Sequence, residues 1–181
     1  MKIDPRLSVR PAIWKTTSMV FFCILILASL FVSCEKDDIC VEGDTPLLVI
    51  RFYDAVDTTA VKSVANLRII GIGIGVPVNT FTDRSTRDSV ALPLRVDEGS
   101  TSFLIIRSSA GEEGAETGNT DTLQFNYSTN EVFISRACGF VANYEQLQDS
   151  LVSDSDNWIQ DITIVNPSVN SQLEAHVKIF H

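Results

Sequence analysis

The segment Val90-Ala-Leu-Pro-Leu-Arg-Val-Asp-Glu-Gly-Ser-Thr-Ser-Phe-Leu-Ile-Ile106 decides the fold class of this 181-residue chain. Its first half places an apolar side chain at every second position, namely Val90, Leu92, Leu94 and Val96. This period of two is typical of a strand with one buried face. The turn-forming residues 97–100 then lead into the apolar run 103–106, so the segment predicts a β-hairpin.

Similar short apolar segments, separated by turn residues, continue along the chain. They lie at 47–53, 67–76, 122–127, 132–134, 140–144, 158–165 and 173–180. We expect 47–53, which is apolar on both faces, to be a central strand covered on two sides, and 128–130 to form a turn. Helical spacing at 144–151 predicts one or two helical turns. Eight or nine short strands predict an all-β fold, a single antiparallel β-sandwich that is immunoglobulin-like or a related barrel.

The N-terminus has the pattern of a secretory signal. Arg6, Arg10 and Lys15 precede the uncharged run Met19–Val32, which has 14 residues. A helix that crosses a bilayer needs roughly 20. A short apolar core behind a basic start is typical of a signal peptide, although an uncleaved single-span anchor is the alternative.

The end of this signal resembles a bacterial lipobox. In Leu30-Phe-Val-Ser-Cys34 a small serine precedes the cysteine whose thiol would take a diacylglyceryl thioether, although Phe31 stands where the motif prefers leucine. We therefore expect lipidation at Cys34. The chain then divides into a lipoprotein signal peptide at 1–33, an acidic tether at 34–39 and a β-sandwich domain at 40–181.

Three charged residues after the cysteine expected to carry lipid suggest where the protein is located in the cell. Lys36, Asp37 and Asp38 resemble the export signal of surface lipoproteins in Bacteroidota, and a solvated acidic tether is the alternative. We expect a protein anchored by lipid in the outer membrane. Surface exposure is the favoured orientation, and a periplasm-facing one is left open.

The charge balance excludes one class of partner. Four of the 14 basic residues and one of the 23 acidic residues lie in 1–33, so the remaining chain carries 10 basic and 22 acidic residues. This excess of negative charge repels phosphate backbones, so nucleic acid is not expected as a partner. It also leaves the N-terminal lipid as the contact with the membrane.

Two cysteines remain after Cys34. Outside the cytoplasm a lone pair such as Cys40 and Cys138 predicts a disulfide, with two buried free thiols as the alternative. Only His176 and His181 could join them as zinc ligands, so no metal site is expected.

A family resemblance extends these observations. The start Cys34-Glu-Lys-Asp-Asp-Ile-Cys40-Val-Glu-Gly-Asp-Thr-Pro-Leu-Leu-Val-Ile-Arg51-Phe-Tyr-Asp54 and the ending His176-Val-Lys-Ile-Phe180 resemble a family of Bacteroidota lipoproteins of unknown function. It is number six-four-five-two in the domain-of-unknown-function series. The resemblance covers essentially the whole chain after the signal and implies a surface or periplasmic address, without an activity.

Motifs for cofactors are absent from the sequence. Gly71-Ile-Gly-Ile-Gly75 lacks the third glycine spacing and the following helix of a dinucleotide fingerprint, and predicts a strand with one bare face. The run Asp154-Ser-Asp-Asn157 fits a solvated turn better than a calcium loop. In the last strand we expect Leu173 inside and His176 outside, and residues 109–121 are expected to form a mobile loop. No cofactor is expected.

One repeated tripeptide suggests a modification. Thr58, Ser89, Thr122 and Ser150 each follow an aspartate and resemble the acceptor used for O-glycosylation in exported Bacteroidota proteins. The alternative is ordinary turn chemistry before a strand.

Two functions of different class remain. The first is a non-enzymatic envelope domain that binds a protein or glycan partner or has a structural role. The second is a hydrolase of envelope polysaccharide or peptide, in which acids such as Asp54, Asp57 and Asp161 converge. Sequence alone assigns no catalytic residue.

Overall fold

Nine strands in two sheets make up the part of the chain that the computed structural model describes, namely residues 40, 43–111 and 115–181. In chain order the strands are β1 Leu48–Tyr53, β2 Val64–Gly71, β3 Ser85–Arg87, β4 Ser89–Leu92, β5 Ser100–Arg107, β6 Asn119–Ser135, β7 Gly139–Leu151, β8 Asp161–Ile164 and β9 Val177–Phe180. No helix occurs in these residues. The predicted all-β class is confirmed.

The first sheet has the strand order β4-β1-β9-β8, and the second has the order β3-β2-β5-β6-β7. One apolar core contains side chains from both, including Phe52 of β1, Ile69 of β2 and Phe125 of β6. The arrangement is therefore sandwich-like, and the two open sheets rule out the closed barrel. Pairing is antiparallel except between β1 and β9, which run parallel.

The predicted hairpin of 90–96 with 103–106 is wrong. β4 pairs with β1 in the first sheet, while β5 pairs with β2 and β6 in the second. Alternation correctly placed Val90, Leu92 and Leu94 in the core, whereas Val96 is 56% exposed. Alternation does not specify a partner strand. Pro93 lacks the N–H needed to extend β4, and the chain crosses to the other sheet.

The turn at 128–130 and the helical turns at 144–151 are also wrong. β6 continues through 128–130 and β7 continues through 144–151, and the two strands pair from Ser128↔Glu145 to Ser135↔Gly139. The register shifts between Asn126 and Ser128, and Gln146 has a positive φ of 57°. Such a bulge adds one residue to a strand, which converts a spacing of two into the spacing of three that resembled a helix.

Three smaller expectations need correction. β1 is central but buries only one face, since Arg51 is exposed. The glycine run forms a turn after β2, with φ of +92° at Gly73 and +75° at Gly75. In the last segment Val177 and Ile179 are buried as predicted, but before them Leu173 is 91% exposed and His176 is 2% exposed, because regular pairing begins only at Val177.

Candidate functional site

The predicted disulfide is present and joins the start of the domain to the turn of the β6–β7 hairpin. Cys40 and Cys138 are bonded, with their Cα atoms 4.9 Å apart. Gly43 lies against this bond, since a Cβ built there would be 2.5 Å from the Cys40 sulfur and 2.9 Å from the Cys138 Cβ. Further along, the Thr45 hydroxyl accepts the Ala142 N–H at 3.3 Å. Residues from 43 to 45 therefore follow β7 toward the start of β1.

An open groove lies at the same end of the sandwich, between the turn after β2 and the segment that links β4 to β5. Its volume is about 360 Å³, within the range of small-molecule pockets. Most lining side chains are apolar; the lining residues are Gly71, Ile72, Ile74, Val76, Pro77, Val78, Asn79, Pro93, Leu94, Arg95, Thr101 and Phe103. We take this groove as the candidate site.

The outer wall of the groove is the glycine turn. The N–H groups of Ile74 and Gly75 both donate to the Gly71 carbonyl, at 3.2 and 3.1 Å. Positive φ at two positions is accessible to glycine without a Cβ clash, so this tight turn depends on Gly73 and Gly75. Folded in this way, the turn leaves Ile72 44% exposed and Ile74 68% exposed at the rim of the groove.

The inner wall is fixed by two tyrosines of the second sheet. The Tyr144 hydroxyl donates to the Leu94 carbonyl at 3.0 Å, and the Tyr127 hydroxyl donates to the Arg95 carbonyl at 2.8 Å. The Arg95 N–H in turn donates to the Thr101 hydroxyl at 2.9 Å. Burial raises the pKa of Tyr144 to about 12, so its hydroxyl stays a donor at neutral pH. Hydrogen bonds therefore hold the main chain of Leu94 and Arg95, which forms this wall.

Arg95 is the charged residue of the groove lining. Its guanidinium lies 2.7 Å from the Glu98 carboxylate and 3.5 Å from that of Asp97. The Arg95 hydrogen bond holds the pKa of Asp97 below its ordinary value. None of the lining residues is a carboxylate, histidine or cysteine, so the described groove offers surface for binding and no acid–base pair for catalysis.

The three acids of the hydrolase hypothesis do not reach the groove. The Asp54 carboxylate accepts the N–H groups of Val56 and Asp57, at 2.8 and 3.0 Å, and pairs with Lys62 at 2.9 Å. The Asp57 carboxylate accepts the Thr59 N–H and hydroxyl. Asp161 starts β8. Two of the three acids therefore hold the turn after β1, and hydrogen bonding from the Asp57 N–H lowers the pKa of Asp54.

A second polar cluster lies in the segment that was expected to be a mobile loop. The Glu116 carboxylate accepts the Ser109 hydroxyl at 2.9 Å and the N–H groups of Ala110 and Gly118, and lies 3.6 Å from Arg68. Burial opposes its charge, but these donors together keep the pKa of Glu116 below its ordinary value. Part of the predicted loop is thus fastened to β2, although 112–114 lie outside the described residues.

Two buried polar side chains outside the groove, His176 and Asp121, have structural partners. His176 accepts the Val49 N–H on Nδ1 at 3.0 Å, so it is a core histidine and the prediction of a surface residue is wrong. Asp121 is fully buried and accepts the N–H groups of Trp158 and Ile159, at 3.3 and 2.8 Å. It ties β6 to the segment before β8.

The four predicted glycosylation residues differ in exposure. Thr58 lies in the exposed turn after β1, and Ser150 is exposed in β7. Ser89 is half-buried in β4 and its hydroxyl donates to the Ile50 carbonyl at 3.1 Å. Thr122 is half-buried in β6, where it pairs with Leu104. Access alone favours Thr58 and Ser150.

Two further site expectations concern metals and membranes. The run at 154–157 forms a turn closed by its own side chains, with the Asp154 N–H donating to the Asn157 side chain at 2.8 Å. The described residues contain no cluster of three potential metal ligands. They also contain no helix of the length and hydropathy that a membrane span requires. Cys34, Lys36, Asp37 and Asp38 lie outside the described residues.

Leu94, Arg95 and Phe103 of the groove were not predicted as site residues from the sequence. A usable signal was present in the glycine–isoleucine turn, which ends at Pro77, and in Pro93, because both mark chain segments that leave a sheet.

Comparison with known proteins adds a family. Neither a search among curated proteins nor a search among solved structures returned a match. A sequence profile described as "Family of unknown function (DUF6452)" matches residues 66–181. The match includes the ending His176–Phe180 noted above, while the stretch from Cys34 to Asp54 lies before it. Since the match covers more than half of the chain, the protein belongs to the DUF6452 family of unknown function.

Proposed function

We propose that this protein is a cell-envelope lipoprotein, anchored in the outer membrane by lipid on Cys34, whose sandwich binds a partner protein without catalysing a reaction. The observation that carries the binding role is the apolar groove beside the glycine turn. The signal-like N-terminus and Cys34 support the anchor. An immunoglobulin-like relationship is part of the proposal, and the two facing sheets support it.

The chemistry of the groove favours a protein partner over a glycan. Ile72, Ile74 and Val76 expose branched aliphatic side chains at its rim, with Ile74 68% and Val76 56% exposed. Such side chains gain free energy by covering apolar surface, about 25 cal/mol per Å² buried. A glycan presents mostly hydroxyl groups, which need several convergent polar partners, and here Arg95 is already paired with two acids.

Photo-crosslinking in intact cells tests the binding role. A benzophenone amino acid replaces Ile74, and we expect a discrete protein adduct after irradiation. The matched control carries the same group at Val56, which is 96% exposed on the turn after β1, at the other end of the sandwich. The adduct should disappear when Val76→Asp adds a charge to the rim. Equal adducts at Ile74 and Val56, or a lipid adduct alone, would contradict a groove that binds protein.

Metabolic labelling tests the anchor separately. Cells given a fatty-acid analogue should label the wild-type chain, and Cys34→Ala should abolish the label and leave the unprocessed precursor. Cys23→Ala is the matched control, because Cys23 lies inside the apolar run. Unchanged labelling of Cys34→Ala would show that the lipid is elsewhere.

Protease accessibility tests the orientation. The wild-type chain should be cleaved by protease added to intact cells, and simultaneous replacement of Lys36, Asp37 and Asp38 by alanine should protect it. A wild-type chain that is protected from the start would favour the periplasm-facing orientation.

A further inference from the structure

Three exposed apolar side chains lie next to the turn of the β6–β7 hairpin. Phe133 and Phe140 are paired across the two strands with their rings 5.3 Å apart, and they are 55% and 66% exposed. Ile134, the next residue, lies at a shift of register between Phe133 and Ser135 and is 42% exposed. We call Phe133, Ile134 and Phe140 the hairpin tip. The exposure of all three side chains shows that this part of the ribbon is not covered by the sandwich.

Strand register places the tip beyond the groove. β5 begins at Ser100, which pairs with Asn126, and past this point β6 pairs with β7 alone as far as Ser135↔Gly139. Thr101 of the groove lining pairs with Phe125. The ten residue steps from Phe125 to Ser135 correspond to about 30 Å of strand. The tip and the groove therefore lie at the same end, with the tip farther out.

The disulfide fixes the start of the domain to this tip. Cys138 lies in the turn between Ser135 and Gly139 and is bonded to Cys40. Five residues separate Cys40 from Cys34 in the sequence. Six residue steps span at most roughly 20 Å when fully extended. A lipid on Cys34 would thus keep the tip within this distance of the bilayer surface.

We propose that the hairpin tip inserts into the interfacial layer of the membrane that holds the Cys34 lipid and forms a second membrane contact. This inference rests on the lipid anchor of the proposed function. Aromatic and aliphatic side chains with no polar atoms enter the boundary between headgroups and acyl chains, and Arg136 in the exposed turn is placed to meet lipid phosphates. With the tip in the interface, the ribbon holds the groove about 30 Å away, where a partner protein can reach it.

Tryptophan quenching in vesicles tests the proposal. The processed full chain, purified with its lipid, is reconstituted in vesicles of phosphatidylethanolamine and phosphatidylglycerol, with or without bromine on the acyl chains. After the signal is removed, the remaining tryptophan is Trp158, which is 3% exposed and gives a constant background. Phe140→Trp should lose at least half of its additional emission in brominated vesicles, and Phe133→Trp, an independent probe, should behave alike. Val56→Trp, at the other end of the sandwich, should change by less than a tenth.

Each outcome has one meaning. Fatty-acid label on the chain with unquenched tryptophan at both tip positions leaves the anchor in place and overturns the tip contact. If iodide in the water also fails to quench these probes, the tip is covered by this protein itself, through its own sandwich or a second copy, which overturns the proposal as well. Loss of the label itself would remove the Cys34 anchor and, with it, this inference.

Discussion

Removal of the disulfide is the sharpest test of how the domain is held together. The double replacement Cys40→Ser and Cys138→Ser deletes the bond with small, nearly isosteric side chains and leaves Cys34 available for lipid. The bond closes a loop of 98 residues, which contains every strand from β1 to β6. Loss of this cross-link increases the conformational freedom of the unfolded chain much more than that of the folded one.

The loop length sets the magnitude. The chain-entropy relation gives about 4.7 kcal/mol at 25 °C for a loop of this size. For a domain of about 140 residues, 1 kcal/mol shifts the melting temperature by roughly 3 °C, so we expect a decrease of about 10–15 °C. A typical domain stability is about 5–15 kcal/mol, so this loss is a third of it or more, and the variant should fold only with a small remaining stability, best at low temperature.

Calorimetry of the wild type, the double variant and the reduced wild type provides the measurement. The last two should melt at the same temperature, because both lack the same bond. Gly43→Val is the matched probe of local packing, since a side chain there collides with both cysteines and should lower the melting temperature more in the oxidised protein, where the disulfide holds them in place, than in the reduced one. A double variant within 3 °C of the wild type would refute the cross-link as a main source of stability.

The remaining predictions concern buried and exposed polar residues. Burial lowers the pKa of His176, so the unfolded chain binds the proton more readily and the stability should fall as the pH falls below about 6.5. His176→Asn keeps an acceptor for the Val49 N–H and should weaken this pH dependence, as measured by melting curves between pH 7.5 and 5.5. Asp121→Ala leaves two buried N–H groups without acceptors and should cost about 1–3 kcal/mol for each in urea unfolding, with Asp121→Asn retaining part of this energy. Mass spectrometry of the exported protein should find any O-glycan on Thr58 or Ser150, and a glycan confined to the two half-buried acceptors would contradict the accessibility argument.

The local patterns in the sequence were sufficient for the fold class. Alternation at Val90 and Leu92 and at Leu123 and Phe125 correctly predicted which side chains enter the core. This works because successive residues of a strand point to opposite faces, a property of the backbone that needs no knowledge of the partner strand. The cysteine count likewise predicted the bond between Cys40 and Cys138.

The partners of each strand were decided only by the tertiary structure. The segments ending at Leu92 and beginning at Ser100 are neighbours in sequence but belong to opposite sheets. Two strands with similar apolar patterns are equally suitable as pairing partners as far as local sequence is concerned. Which of them pairs with a given strand depends on how the nine described strands together cover one core. The bulge at Gln146 explains why helical turns were wrongly predicted at 144–151. One extra residue changes the spacing of the buried side chains, although the segment remains a strand.

For the candidate site, too, some features could be predicted from the sequence and others only seen in the tertiary structure. The sequence by itself determined the acidic charge and predicted the paired cysteines and a signal-like N-terminus, whereas the turn of the glycine run was seen only in the structure. The tertiary structure alone brought Leu94, Arg95 and Phe103 against that turn to form a groove, and it buried His176, which local alternation had placed outside. A groove arises where segments distant in sequence approach without filling the space between them. That gap is a property of packing between sheets, and no single stretch of the chain encodes it.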